Sequence, residues 1–339
     1  MNVLLISQCD KRALTETRRI LDQFAERRGD RTWQTPITEA GLDTLRKLLR
    51  KTARKNSAVA CHWIRGRDHS ELLWIVGDAR RFNAEGAVPT NTTERNVLRR
   101  EDENDWHSLQ LIQLLCRLAA LLHDLGKACL AFQQRLVTFS TDRNEYRHEW
   151  ISLRLFQAFV GDAADDAAWL HRLMAPTAED DASWLPDARK LRDGLDQEAA
   201  SALPFSTLPP LAQAVGWLVL THHRLPLMPG WDDRKGMPAY LGSKVSGFRI
   251  SMLDDVLTRV ACNWNETPSG LISSAISPYW NFKPHGLPVT TERWRGRASG
   301  LARQLLELVQ RGLGQTAIND PFVMHVARMS LMLADHHYS

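Results

Sequence analysis

The chain has 339 residues, 44% of them apolar, and a formal net charge of +4. That length allows a sizeable buried core and two domains. No apolar run is long enough to span a bilayer, and the first ten residues lack the features of a signal peptide, so we expect a globular, cytoplasmic protein without membrane contact. The five cysteines are scattered and never spaced as C-x-x-C, which argues against disulfides and thiolate zinc sites.

The N-terminal part is basic and alternates between strand and helix patterns. Residues 1–67 carry 15 Lys or Arg against 7 Asp or Glu, a net charge of +8. Apolar spacing predicts, in chain order, a strand, a helix, a short strand, a helix and two strands: Val3–Ile6, Leu14–Arg28, around Trp33, Leu42–Ala53, Ala58–Ile64 and Leu72–Val76. This βαβαββ order favours a small ferredoxin-like α/β sandwich over residues 1–80.

The remainder of the chain predicts a linker and then a helical domain. Residues 81–105 are rich in Gly, Pro, Asn and mixed charge and show no periodicity, which is typical of a linker. Residues 106–339 contain long apolar helical runs separated by polar, Pro-rich stretches. The predicted fold class is therefore α+β, with an all-α second domain.

The second predicted helix carries a basic face that fits an acidic partner. Its six cations recur one turn apart: Arg46, Lys47, Arg50, Lys51, Arg54 and Lys55. Like charges four residues apart repel by a few tenths of a kcal/mol, so an anionic partner such as DNA would stabilise this face. A solvated basic face with no partner is the alternative.

Three apolar helical runs in the second domain finish in residues that are costly to bury alone. They lead into His123-Asp124, into His222-His223 and into Asp335. An unpaired carboxylate in an apolar element costs several kcal/mol, so we expect the three ends to meet and compensate one another.

A bound divalent metal would provide that compensation. Imidazole and carboxylate together, without thiolate, suit manganese, iron, nickel, cobalt or zinc better than calcium or magnesium. The alternative for any single histidine is an ordinary hydrogen-bonded structural role. That alternative would have to hold independently at all three helix ends.

These residues resemble a known family. Leu121-Leu122-His123-Asp124-Leu125-Gly126-Lys127 resembles the signature of HD metal-dependent phosphohydrolases. With His148, the pair His222-His223 and Asp335, the series is similar to the HD nuclease of type I CRISPR systems. A ferredoxin-like domain ahead of it resembles the type I-F arrangement, in which the adaptation subunit is fused to the interference nuclease-helicase.

The resemblance implies roles for individual residues. Asp124 would bridge two divalent ions and Lys127 would neutralise the scissile phosphate. The other ligands would be His107, His123, His148, His222, His223 and Asp335. Manganese, iron, nickel and cobalt are the favoured ions, with magnesium or zinc as alternatives.

The resemblance also implies partners. The substrate would be single-stranded DNA, and the crRNA-guided surveillance complex would engage the full-length protein. The N-terminal domain would pair with its own copy and with the spacer integrase. A nucleotide or cyclic-nucleotide phosphohydrolase and a non-catalytic interaction module are the competing functions.

The sequence lacks a motor signature. It contains no G-x-x-x-x-G-K-[ST] phosphate loop, since the only Gly-Lys pair, Gly126-Lys127, is followed by Ala128. We therefore expect no ATP site and no ATP hydrolysis. The ending at Asp335-His336-His337-Tyr338-Ser339 suggests a fragment of a longer protein, which would cleave single strands and leave duplex intact.

Overall fold

A computed structural model of the chain describes most of its residues. The described positions are 2–9, 11–52, 57–65, 70–78, 108–138, 144–175, 184–185, 189–225, 229–232, 237–240, 257, 260–265, 267, 270–283, 286–313 and 317–338. The chain divides into two compact units. Unit 1 comprises Met1–Leu109 with Asp320–Val326, and unit 2 comprises Gln110–Asn319 with Ala327–Ser339. The predicted linker over residues 81–105 lies outside the described residues.

Unit 1 contains a mixed five-stranded sheet and two helices. The elements are β1 (Asn2–Gln8), α1 (Lys11–Phe24), β2 (Glu26–Gly29), β3 (Thr32–Pro36), α2 (Glu39–Thr52), β4 (Ser57–Arg65) and β5 (Ser70–Asp78). The strand order is β2-β3-β1-β5-β4. β1 pairs antiparallel with β3 and parallel with β5. The core lies between sheet and helices, where Leu5, Leu21, Trp33 and Leu45 are completely buried.

Two sequence predictions for unit 1 are wrong in detail. The first helix ends at Phe24 rather than Arg28, and the chain then forms a hairpin of two strands, β2 and β3, where a single strand was predicted. β2 consists of Glu26-Arg27-Arg28-Gly29, which has no apolar alternation to mark it as a strand. It is held by antiparallel pairing with β3, which backbone hydrogen bonds supply whatever the side chains are. The element order is therefore βαββαββ.

Unit 2 is mainly helical. Its α-helices are α3 (Leu109–Leu122), α4 (Leu130–Thr138), α5 (His148–Val160), α6 (Asp166–Met174), α7 (Pro210–Thr221), α8 (Ser273–Ile276), α9 (Glu292–Gln310) and α10 (Pro321–Tyr338), the first and last of which begin in unit 1. Short 3-10 helices cover Leu125–Ala128, Glu198–Ala200, Cys262–Asn265, Ser277–Trp280, Pro288–Thr290 and Ala317–Asn319. The unit is not all-α as predicted, because β6 (Pro229–Asp232) and β7 (Met237–Tyr240) form a hairpin. Proline and glycine in these strands mask the strand pattern.

α5 is the central helix of unit 2. Every residue from Glu149 to Val160 is buried, and the helix packs against α7. The N-terminus of α7 is capped by a buried carboxylate, since Asp166 accepts the backbone N–H groups of Leu211 at 2.9 Å and Ala212 at 3.0 Å. By length and composition alone, the stretch 109–128 could span a membrane. Half of it is buried inside the protein, and the core helices of globular proteins meet the same two criteria.

A buried ion pair fixes α5 to the segment that follows α6. Arg154 and Asp193 are both 2% exposed and form two hydrogen bonds of 2.7 and 2.8 Å. Arg154 also donates to the carbonyl oxygens of Ala199 and Ala202, and Trp150 donates to Asp193 at 2.8 Å. All donors of this network have acceptors, so the desolvation of the two charges is well compensated.

Arg154→Ala should lower the free energy of unfolding by about 3–5 kcal/mol, because it leaves Asp193 as an uncompensated buried charge. Urea unfolding followed by circular dichroism measures this. The control is Lys190→Ala, which removes an exposed ion pair with Glu198 and should change the unfolding free energy little. Equal effects of the two substitutions would contradict the role of the buried pair.

Candidate metal centre

His123 and Asp124 lie in the turn between α3 and the 3-10 helix Leu125–Ala128. The N–H of His123 still donates to the Ala119 carbonyl at 2.8 Å, and the Asp124 carbonyl accepts the N–H of Lys127 at 2.9 Å. Backbone hydrogen bonds thus hold the turn on both sides. The predicted position of the pair at a helix end is confirmed.

The His123 ring is oriented by a backbone carbonyl. Its Nδ1 lies 2.9 Å from the Ala120 oxygen, so Nε2 is the ring nitrogen that faces other side chains. That Nε2 lies 3.4 Å from Asp124 Oδ2 and 3.4 Å from Asp335 Oδ1. The Nε2 of His123 therefore lies between two carboxylates.

His222 and His223 follow the last residue of α7. The Nδ1 of His222 lies 2.7 Å from the Val219 carbonyl, and its Nε2 is buried with no hydrogen-bond partner in the part of the chain that the structure describes. Burial, together with the charges of His223 and His123, lowers the pKa of His222 to about 3. The ring is therefore neutral at physiological pH, as a metal ligand must be. The Nε2 of His223 lies 3.6 Å from Asp335 Oδ2.

His148 is the first residue of α5. Its Nε2 lies 3.4 Å from Asp124 Oδ1, and its Nδ1 lies 3.3 Å from Oε2 of the completely buried Glu149. Arg147 holds the other oxygen of Glu149 at 2.8 Å. Burial lowers the pKa of His148 to about 3, although the Asp124 carboxylate acts in the opposite direction. This ring is also neutral at physiological pH.

Asp335 lies on α10, and its carboxylate lies close to His123 and His223. The helix continues to Tyr338, so Asp335 lies inside its last turn rather than at an end, contrary to the sequence prediction. Burial raises the pKa of Asp335, but the hydrogen bond with His123 and the charges of His123, His223 and Lys127 outweigh it and hold the pKa below its ordinary value. The group is an ionised carboxylate facing imidazoles.

The donor atoms converge in two overlapping groups that fit metal ions. One is His148, His222 and His223, and the other is His123, His222 and Asp335; within each, the ligand atoms lie within 4.8 Å of one another. Asp124 Oδ1, His148 Nε2 and His222 Nε2 are buried and have no hydrogen-bond partner among the described residues. Buried polar atoms normally have partners. Cations bound by the two donor groups would give such atoms partners.

The structure thus brings together six of the seven predicted ligands: His123, Asp124, His148, His222, His223 and Asp335. The seventh, His107, lies outside the described residues. Lys127 lies at the same place, where its Nζ donates to Asp124 Oδ2 at 2.8 Å. Of the predicted DNA-binding residues on α2, Arg46 and Lys47 are exposed, whereas Arg54 and Lys55 lie outside the described residues.

Gly126 and Ser152 position the segments that carry these side chains, and the sequence predicted this role for neither residue. The completely buried Ser152 hydroxyl accepts the N–H of Gly126 at 2.8 Å and donates to the His123 carbonyl at 2.7 Å. A Cβ on Gly126 would lie 2.2 Å from the His148 carbonyl oxygen, so only glycine fits. Ser152 follows His148 by one helical turn, and this spacing was the available signal.

Arg328 is a further contact that sequence reasoning missed. Its Nε donates to the Thr221 carbonyl at 2.8 Å, which links α10 to the end of α7 immediately before His222. Burial lowers the pKa of Arg328. Asp335 follows two helical turns later, so one helix is fixed to this end of α7 at two points.

Comparisons with known proteins show what the whole chain is similar to. Residues 1–79 match the family model described as CRISPR-associated nuclease/helicase Cas3, I-F/YPEST, Cas2 domain. The whole chain is 55% identical to the CRISPR-associated nuclease/helicase Cas3 subtype I-F/YPEST of Pseudomonas aeruginosa, and 48% identical to that of Pectobacterium atrosepticum. The chain is similar throughout to type I-F Cas3. It spans 30% of the length of each relative. The resemblance drawn from the sequence is confirmed.

Ser152→Ala should lower the free energy of unfolding by about 1–3 kcal/mol, because the Gly126 N–H and the His123 carbonyl lose a buried partner. Affinity for Mn²⁺ should fall roughly 10- to 100-fold, as is usual when a group that orients ligands is lost. Urea unfolding and calorimetric titration measure the two effects.

The matched control is Ser206→Ala. The exposed Ser206 hydroxyl donates only to the Leu203 carbonyl, so its loss should change the unfolding free energy by less than about 0.5 kcal/mol and leave Mn²⁺ affinity unchanged. If Ser152→Ala behaved like this control, Ser152 would not position the cluster.

Proposed function

We propose that this chain carries a metal-dependent nuclease of HD type that cleaves single-stranded DNA in CRISPR interference. The observation that supports it best is that six imidazole and carboxylate side chains converge, and that three of their buried atoms have no hydrogen-bond partner among the described residues. The relatives that it matches are named as CRISPR-associated nuclease/helicases. The chain spans only 30% of the length of these relatives, so their names do not assign an activity to this segment, and the nuclease activity is a proposal for it.

Asp124 is suited to contact two cations at once. Its Oδ1 faces His148 of one donor group and its Oδ2 faces His123 of the other, each at 3.4 Å. Two divalent ions in such a site lower the pKa of an attacking water and stabilise the charge of the phosphate oxygens. Manganese, iron, nickel or cobalt is proposed, with magnesium or zinc as alternatives.

Lys127 provides the positive charge that this reaction requires beside the metal ligands. Its ammonium group is partly exposed and bound to Asp124 Oδ2, so it lies at the accessible side of the cluster. Attack on a phosphodiester increases the negative charge on its oxygens. An ammonium group there stabilises that charge.

Single strands are the proposed substrate because base pairing and stacking hold a duplex backbone away from a site between helices. Opening a duplex costs a few kcal/mol for each extruded nucleotide. The sequence has no phosphate loop to couple ATP to strand separation. Flexible single strands reach such a site without that energy.

Asp124→Ala should reduce cleavage of circular single-stranded DNA to the level of chelator-treated protein, because it removes the carboxylate that faces both donor groups. The assay uses a panel of divalent metals without ATP, and unchanged circular dichroism verifies the fold. Blunt linear duplex should stay largely intact with the parent protein, and no ATP should be hydrolysed.

The matched control is Asp162→Ala, which removes a fully exposed carboxylate and should leave cleavage unchanged. Cleavage by Asp124→Ala at the parent rate would show that the site is assigned wrongly. Hydrolysis of nucleotides without cleavage of DNA would favour a nucleotide phosphohydrolase instead. Failure on both substrates with every metal would favour a non-catalytic module.

The N-terminal unit is proposed to be a ferredoxin-like adaptation module. Its elements up to β4 follow the βαββαβ order of that fold, and β5 is inserted in the sheet between β1 and β4. The family model matching residues 1–79 is named for a Cas2 domain. The module is proposed to pair with its own copy and with the spacer integrase, while the full-length protein joins the crRNA-guided surveillance complex.

The basic face of α2 is proposed to contact duplex DNA. The double variant Arg46→Glu/Lys47→Glu should weaken duplex binding and reduce the slope of log affinity against log salt by up to about 1.8, since each phosphate contact to B-DNA contributes about 0.9. Fluorescence anisotropy over a salt series measures this.

The control is Asp43→Asn, which removes an exposed negative charge one turn before Lys47 and should strengthen binding slightly. Binding of the double variant with the parent affinity at low salt would mean that the basic face is merely solvated.

A further inference from the structure

One exposed face of α9 combines unpaired arginines with glycines. Arg293, Arg297 and Arg303 are exposed, and none forms a hydrogen bond or ion pair with another described residue. Gly296 and Gly300 lie between them on the same face of the helix. We call these five residues the arginine strip.

Among the described arginines of unit 2, Arg117 and Arg311 also show no side-chain hydrogen bond or ion pair, but neither lies within α9, which carries three such arginines on one face. Many other arginines there donate to carboxylates or carbonyl oxygens: Arg147, Arg154, Arg172, Arg189, Arg192, Arg295 and Arg328. Even Arg295, on the same helix, donates to the Val289 carbonyl at 3.0 Å. The strip therefore presents guanidinium donors that intramolecular bonds do not use.

Packing against the described residues does not require glycine at positions 296 and 300. A Cβ added to Gly296 or Gly300 would meet nothing within 4 Å, and neither residue has a positive φ. Glycine inside a helix is destabilising relative to alanine. Their effect is to leave the helix backbone uncovered between the arginines, so that an extended ligand can approach it closely.

The helix that carries the strip contacts α3 near the metal centre. The indole Nε1 of Trp294 donates to the Leu121 carbonyl at 3.0 Å, two residues before His123. Arg293 precedes this contact, and Arg297 follows Arg293 by one turn, a rise of about 6 Å. A strand bound along the strip can therefore reach the metal ligands.

We propose that the arginine strip binds the phosphate backbone of the single-stranded DNA that is cleaved at the metal centre. Guanidinium groups bind phosphate through two parallel hydrogen bonds, and a row of them fits a polymer of phosphates better than a single anion. The proposal rests on the proposed nuclease function, for which it names the surface that holds the substrate.

The first test measures binding apart from cleavage. The 339-residue chain is titrated with fluorescein-labelled oligothymidine in the presence of a chelator, over a salt series. Arg293→Gln/Arg297→Gln should reduce the slope of log affinity against log salt by about 1.4, since each phosphate contact to a single strand contributes about 0.7. The control Arg189→Gln/Lys190→Gln removes the same charge elsewhere and should leave the slope unchanged.

The second test uses bulk instead of charge. Gly300→Gln places a neutral side chain in open space on the helix, so it should raise the melting temperature while lowering affinity for oligothymidine. A role of Gly300 in folding alone predicts the opposite change in melting temperature.

The outcomes separate the two proposals. An unchanged salt slope in the arginine variant, or an unchanged affinity in Gly300→Gln, overturns the strip even if the parent chain cleaves DNA with added metal. A reduced slope and affinity in a chain that cleaves nothing supports the strip as a binding surface and contradicts the nuclease.

Discussion

The close approach of the 3-10 helix Leu125–Ala128 to the first turn of α5 is the constraint on which the site depends. A Cβ on Gly126 would lie 2.2 Å from the His148 carbonyl oxygen, so the approach requires glycine. Ser152 joins the two segments, because its hydroxyl accepts one hydrogen bond and donates another. Without this approach, Asp124 could not lie 3.4 Å from His148, because they belong to segments separated along the chain by α4. Backbone contacts thus set the separation of the proposed ligands.

The stability of the cluster depends on the protonation state of its histidines. Burial lowers the pKa of His148 and of His222 to about 3. Between pH 6.5 and about 3 the unfolded chain therefore binds protons that the folded chain does not, so these two groups reduce folding stability as the pH falls through that range. Above it both rings are neutral in either state. The same burial that disfavours protonation leaves their lone pairs available to a cation.

The sequence predicted those parts of the site that depend on residue type, and missed those that depend on backbone contacts. His123 and Asp124 were predicted because an apolar run of helical period ends there and an unpaired carboxylate is costly to bury. Ser152 was not, because its partners are main-chain atoms that lie 26 and 29 positions earlier in the chain, and its spacing of one turn after His148 was the one available signal. For the same reason, β2 was missed. Its Arg27-Arg28 pair shows no alternation, and its hydrogen bonds come from the backbone of β3.

The position of His222 in both donor groups makes the two groups unequal. Its Nδ1 is directed to the Val219 carbonyl, so the neutral ring offers one lone pair, on Nε2, and one nitrogen lone pair binds one ion. If two ions bind, the ion that takes His222 can also draw on either His148 with His223 or His123 with Asp335. The other ion then has two members of its own group and must rely on Asp124, whose two oxygens face both groups. In the proposed two-ion arrangement, the loss of Asp124 would therefore weaken binding most at the ion that does not take His222.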